Sequence, residues 1–198
     1  MNWEFFSINK FKIHYFSQMI KVVIIGSGNV AQHLIKELVA SKEIELVQAF
    51  ARTPNHLTHL LPLDKITSDY QKITEADLYI ISVSDNAIAE VSEHLPFENR
   101  LVVHTSGSSD ITILSDKNRK GVFYPLQTFS KNKAIDFTPI PMCLEAENQN
   151  DYQILEQVAK SLSQKVFAIS SEQRRSLHVS AVFVCNFVNH LYQKGNQI

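Results

Sequence analysis

Gly26-Ser27-Gly28-Asn29-Val30-Ala31 is a spacing of small residues through which a backbone can do chemistry. The first glycine permits a tight turn, the second lets the main chain approach a pyrophosphate, and a small third residue lets a helix pack on a strand. If a helix opens at Asn29 and Val30, its first amides face an anion, and a dinucleotide is the natural guest. A second feature lies at positions 48–53, Gln-Ala-Phe-Ala-Arg-Thr, where a carboxylate would bind a ribose 2′-hydroxyl. None is present. Arg52, with Thr53 beside it, suits a 2′-phosphate instead, which favours NADP over NAD. The candidate proton donors are His104, Tyr124 and His178. Spacing alone makes a lone histidine such as His104 a structural residue more often than a catalyst.

These groups need a scaffold. Val22, Val23, Ile24 and Ile25 form a continuous apolar run, the pattern of a parallel strand covered on both faces, and Val30, Leu34, Ile35, Leu38 and Val39 keep helical spacing after it. Strands are predicted over residues 45–50, 65–67, 77–83, 101–104, 121–124, 139–144 and 165–169. Helices are predicted near 55–61, over 86–95 with Asp85 as its cap, over 149–162, and from Ser171 onward. The resulting fold is α/β, a doubly wound, mostly parallel Rossmann sheet followed by a helix from Ser171, which the family resemblance given below makes the start of an all-helical C-terminal domain. Loops at the carboxyl ends of such strands line the ligand crevice, so Val83, Ser84, Thr105, Ser106 and Gly107 are expected beside the cofactor with Gly26 to Val30.

A net charge of −1 over 198 residues provides neither the basic stripe that nucleic acid requires nor a polybasic membrane patch. No stretch is apolar for long enough to span a bilayer, and the aromatic-rich residues 1–18 lack the apolar core and cleavage site of a signal peptide, so a soluble, cytoplasmic protein is expected. Those residues read as an appended segment or a misassigned start. Cys143 and Cys185 lack metal-ligand spacing, and no metal is expected.

The stretches VVIIGSGNVAQHL, DLYIISVSDNAI, HTSGS, YPLQTFS and LHVSAVFVCNFVNHLY, in that order, resemble the Rossmann-like plus DUF2520 proteins, a family similar to F420-dependent NADP oxidoreductases and pyrroline-5-carboxylate reductases, within the 6-phosphogluconate-dehydrogenase-like group. The resemblance covers residues 19–192. It implies an NADP-binding Rossmann domain (19–170), then the first helix of a helical dimerisation domain (171–198), oxidoreductase activity on a small-molecule substrate, and NADP as cofactor with F420 a lesser alternative. It also implies that His178 and Asn186, on the first helix after the nucleotide-binding domain, touch the substrate. Two departures are visible: Tyr124 stands where members usually carry histidine, and the helical domain of the family continues well past residue 198.

The last helix has a dimer signature of its own, since Leu177, Ala181, Val184, Val188 and Leu191 form one apolar stripe with Phe183 and Phe187 beside it. A homodimer through this helix is expected. His178 and Asn189 share a face of it, near Asn186, and a buried polar pair that fixes helix register within such a dimer is the alternative to a substrate role. For the whole protein the alternative to a reductase is a non-catalytic NADP-binding sensor or scaffold.

Overall fold

The computed structural model of the chain describes residues 19–131, 133–184, 191 and 194. The appended segment 1–18 lies outside them. The strands are β1 (Ile20–Ile25), β2 (Ile44–Phe50), β3 (Ile66–Thr67), β4 (Leu78–Ile81), β5 (Leu101–His104), β6 (Arg119–Pro125), β7 (Pro141–Ala146) and β8 (Lys165–Ala168); the helices are α1 (Asn29–Ala40), α2 (Ile88–Glu93), α3 (Gln149–Leu162) and α4 (Ser171–Val182). One sheet holds all the strands in the order β3-β2-β1-β4-β5-β6-β7-β8. The chain winds outward from β1 to β3, then returns to β4 on the other side of β1, which places a switch point at the carboxyl ends of β1 and β4.

The unbroken apolar run of β1 has the predicted cause. Val22 and Ile24 pack into one core with Leu34, Ile35 and Leu38 of α1, whereas Val23 and Ile25 pack into a second core with Tyr79, Ile81 and Ile88 on the opposite face. Each such buried aliphatic side chain stabilises the fold by about 1.5–3 kcal/mol, so a polar residue at any of these positions would expose one face or the other.

The strands read over 77–83, 121–124 and 139–144 run instead over Leu78–Ile81, Arg119–Pro125 and Pro141–Ala146, and two predicted helices are shorter than expected. The helix read over 86–95 becomes a 3-10 turn, Asp85–Ala87, followed by α2, which stops at Glu93 because Pro96 disfavours helical backbone at the residue before it. The helix read near 55–61 is a 3-10 turn over Pro54–His56 and a run of turns.

Strands β1 to β6 run parallel, but β7 is antiparallel to β6 and β8 runs with β7. A parallel return needs a crossover of a dozen or more residues, usually helical, and the described residues of the 126–140 connection form no helix. The reversal redirects the end of the chain. β8 leads away from the crevice, so α4 must run back toward it. Among the described residues no helix is long and apolar enough to cross a membrane.

Candidate functional site

The turn between β1 and α1 separates two uses of glycine. Gly26 has φ +135°, and a Cβ there would lie 2.0 Å from the Ser82 carbonyl oxygen of the neighbouring strand's end. The fold itself requires it. Gly28 is different: its backbone, φ −73° and ψ −178°, is open to any residue, and a Cβ would meet nothing within 4 Å. Nothing in the folded chain explains that glycine, whereas a group lying against the loop would. α1 begins beside it with no side-chain cap and no acidic residue in its first turn, and its first amide bonded within the helix is that of Gln32, which donates to Gly28 O. The preceding amides are left for an anion.

All twelve residues expected at the cofactor, Gly26, Ser27, Gly28, Asn29, Val30, Arg52, Thr53, Val83, Ser84, Thr105, Ser106 and Gly107, line one cavity of about 630 Å³. This is large enough for much of a dinucleotide. Tyr124 and His178 line it too. His104 does not, and Asn186, like Asn189, falls outside the described residues. The side chain of Asn29 is already engaged, donating to Phe129 O at 3.1 Å, while His33 Nε2 lies 3.1 Å from Ser130 O and its ring packs on Phe129. These contacts tie the segment after β6 across α1. Gln127 and Phe129, in the YPLQTFS stretch, also line the cavity. So does Tyr70, stacked on Phe50 with ring centroids 4.3 Å apart. It sits in a stretch without any motif, and only the folded chain brings it there.

Tyr124 Oη and His178 Nδ1 are 2.9 Å apart, with the rings edge to face. Burial, with the Cys143 thiol adding to it, pushes the Tyr124 hydroxyl up to about 12, so it keeps its proton at neutral pH. Gly107 lies against this pair. A Cβ there would come within 2.5 Å of His178 Nδ1 and 2.8 Å of Tyr124 Cζ, so the glycine of the serine-rich loop exists to let the pair approach.

That loop is braced on both sides. Ser106 Oγ accepts the amides of Ser108 and Ser109, and Thr105 Oγ1 donates to Ser82 Oγ. Ser108 Oγ donates to Asp85 Oδ2 at 2.6 Å. Asp85 therefore ties two loops together rather than capping a helix as predicted; Ser84 occupies the cap position and makes no side-chain cap bond.

His104 is corrected as a proton donor. It is completely buried beneath the loop, its Nδ1 accepts the Ser106 amide at 3.1 Å, and burial together with the nearby Arg174 cation pushes it down to about 4. It is neutral at pH 7. Its hydrogen then sits on Nε2, a buried atom without a hydrogen-bond partner among the described residues. Cys143 is a buried thiol pushed up to about 11 by desolvation and is inert. Among the described residues no cluster of three or more histidine, cysteine or acidic side chains could hold a metal ion.

A solved structure from Bacteroides fragilis, described provisionally as an NADP oxidoreductase, is 39% identical and superposes with a TM-score of 0.80 over 88% of this chain and 70% of its own. The chain belongs to that family. Residues 21–108 match the family model described as NADP oxidoreductase, coenzyme F420-dependent, and residues 140–198 match a domain of unknown function, DUF2520. More distant members of the fold include a protein of Thermotoga maritima, at 20% identity and TM-score 0.68 over 86% of this chain and 65% of that one. A reductive aminase from Aspergillus terreus, solved with NADPH and ethyl-5-oxohexanoate, shares 16% identity and a TM-score of 0.63 over 89% of this chain and 64% of its own. These two show the fold alone, and this chain spans about two thirds of their length. No curated protein matches it by sequence.

Proposed function

We propose that this Rossmann-plus-DUF2520 protein is an NADPH-dependent reductase of a small carbonyl or imine. The observation that carries this reading is a single cavity walled on one side by the Gly28 loop, whose glycine only a close ligand explains, and on another by a hydrogen-bonded proton donor, Tyr124 with His178. Arg52 and Thr53 would take the 2′-phosphate, the α1 amides the pyrophosphate, and the loops 83–84 and 105–107 the remaining half of the dinucleotide.

When bound, the nicotinamide supplies a hydride to the substrate carbon. The chain's own task is to place the substrate and protonate the oxygen or nitrogen that gains the electron pair. Tyr124 Oη gives that proton. His178 Nδ1, 2.9 Å away, holds the phenol in line, and with a hydrogen on that nitrogen it donates to the phenolate that remains. A smaller recess of about 120 Å³, bounded by Leu126, Ala181 and Val182, opens on the same Tyr124 and His178 and would take the rest of the substrate. The exposed apolar side chains of α4, Leu177, Val179 and Val182, are read as a surface covered by a second copy of the chain.

Titration with NADPH and NADH, followed by turnover against imines, aldehydes and 2-oxo acids, tests this. NADPH should bind more tightly, and Arg52→Ala should shrink its advantage over NADH. Tyr124→Phe should lower kcat by about 100-fold or more with unchanged NADPH affinity. Saturable NADPH binding with no turnover of any class would replace the reductase with a non-catalytic NADP-binding sensor.

A further inference from the structure

Arg174 is fully buried, and no motif in the sequence singles it out. A guanidinium taken out of water persists only where its N–H groups are matched, and here they reach three elements. Nε donates to Ser106 O at 3.2 Å, Nη2 to Ser109 O and to Ser171 Oγ at 3.0 Å, and Nη1 to Glu145 Oε2 on β7. Glu145 also accepts the amide and the hydroxyl of Ser171, at 3.0 and 2.7 Å. The neighbouring Arg175 donates to Ser108 O at 3.2 Å. Two consecutive arginines thus hold the carbonyls of the serine-rich loop against the first turns of α4.

The spacing along α4 gives this clamp a purpose. Glu145 stands opposite Val122 in the β6–β7 ladder, and Cys143 stands opposite Tyr124. From Val122 to Tyr124 is about 6.6 Å at ~3.3 Å per strand residue. From Arg174 to His178 is four helical residues, about 6 Å at ~1.5 Å each. Fixing Arg174 at Glu145 therefore sets His178 level with Tyr124. The same guanidinium fixes Ser106, next to the Gly107 on which that pair rests.

We propose that Arg174, anchored by Glu145, is a positioning residue that locks the serine-rich loop and His178 into one rigid wall facing the nicotinamide half of the cofactor. The proposal rests on the dinucleotide reading above. In the sheet order, Arg52 at the end of β2 and the Gly28 loop at the end of β1 take the adenosine and pyrophosphate, so the other half must lie over β4 and β5, against the wall that Arg174 holds.

The test compares NADPH with adenosine 2′,5′-bisphosphate, which carries the adenosine and 2′-phosphate but is too short to reach that wall. Arg174→Lys keeps the charge and loses the branched donor, whereas Glu145→Gln leaves the arginine in place and loosens only its anchor. Dissociation constants for both probes are measured on wild type and on each variant, with circular dichroism melting to show that each is folded. NADPH affinity should fall by about tenfold in each variant, since a displacement near 1 Å at such a wall is costly, with bisphosphate affinity within about twofold of wild type. A variant that weakens both probes in parallel, or neither, overturns the positioning role. Loss of both probes in both variants does the same, because the arginine would then serve the fold as a whole. Wild-type protein that binds neither probe instead refutes the dinucleotide reading itself.

Discussion

Gly26 and Gly28 look alike in the motif and are there for different reasons. Ser82, whose carbonyl forbids a side chain at Gly26, belongs to a strand end far along the chain, so no local spacing could separate the two roles. Gly28→Val should consequently fold, with a melting temperature within about 2 °C of wild type, because an added Cβ meets nothing within 4 Å and extended backbone suits a β-branched residue. It should lose NADPH binding by about 100-fold, to be read by fluorescence titration; a folded variant with undiminished affinity would remove this loop from the site. His104 shows the opposite limit of the sequence. Its type suggested chemistry, yet its burial, invisible in the sequence, keeps it neutral. In the unfolded chain it takes up a proton below about pH 6.5, but in the folded chain only near 4. Its contribution is thus complete above pH 6.5 and is lost as pH falls toward 4, by about 3 kcal/mol in all. Denaturant unfolding at pH 7 and pH 4.5 should show this loss in wild type and a smaller one in His104→Asn, whose amide oxygen can still accept the Ser106 N–H. Equal losses in the two proteins would contradict it.

At the level of elements, the parts whose side chains alternate or repeat against a core were legible. The boundaries of β5 and α3 agree with the pattern to the residue, α3 because Asn148 stands ahead of it and accepts the Asp151 amide. Strand direction was not legible, since an apolar run reads the same in either sense, and the antiparallel β7 became visible only in its ladder with β6. α4 was recognised by its start at Ser171, where Ser170 and Gln173 form a reciprocal cap, and the resemblance marked His178 on it, but nothing marked its buried arginine. Arg174 escaped notice because an arginine is usually solvated, and its partners Ser106, Ser109 and Glu145 lie on other elements.

For the molecule as a whole, the cofactor side of the cavity was readable because it is built from loops at one edge of one sheet, each announced by the strand before it. The pairing of Tyr124 with His178 on the opposite wall was not, because it joins β6 to a helix that arrives fifty-four residues later. The exposed aliphatic side chains on α4 should draw two copies together, so sedimentation at micromolar concentration is expected to give a dimer, and a stable monomer would refute that surface as an interface. The return path of α4 also imposes an order in time. A chain leaving the ribosome completes the Gly28 turn, Arg52 and the serine-rich loop well before His178 has been synthesised. A nascent protein of this kind gains the loops that would grip its dinucleotide before the group that would let it react, so cofactor present during synthesis would be met by a half-built cleft until α4 swings into place.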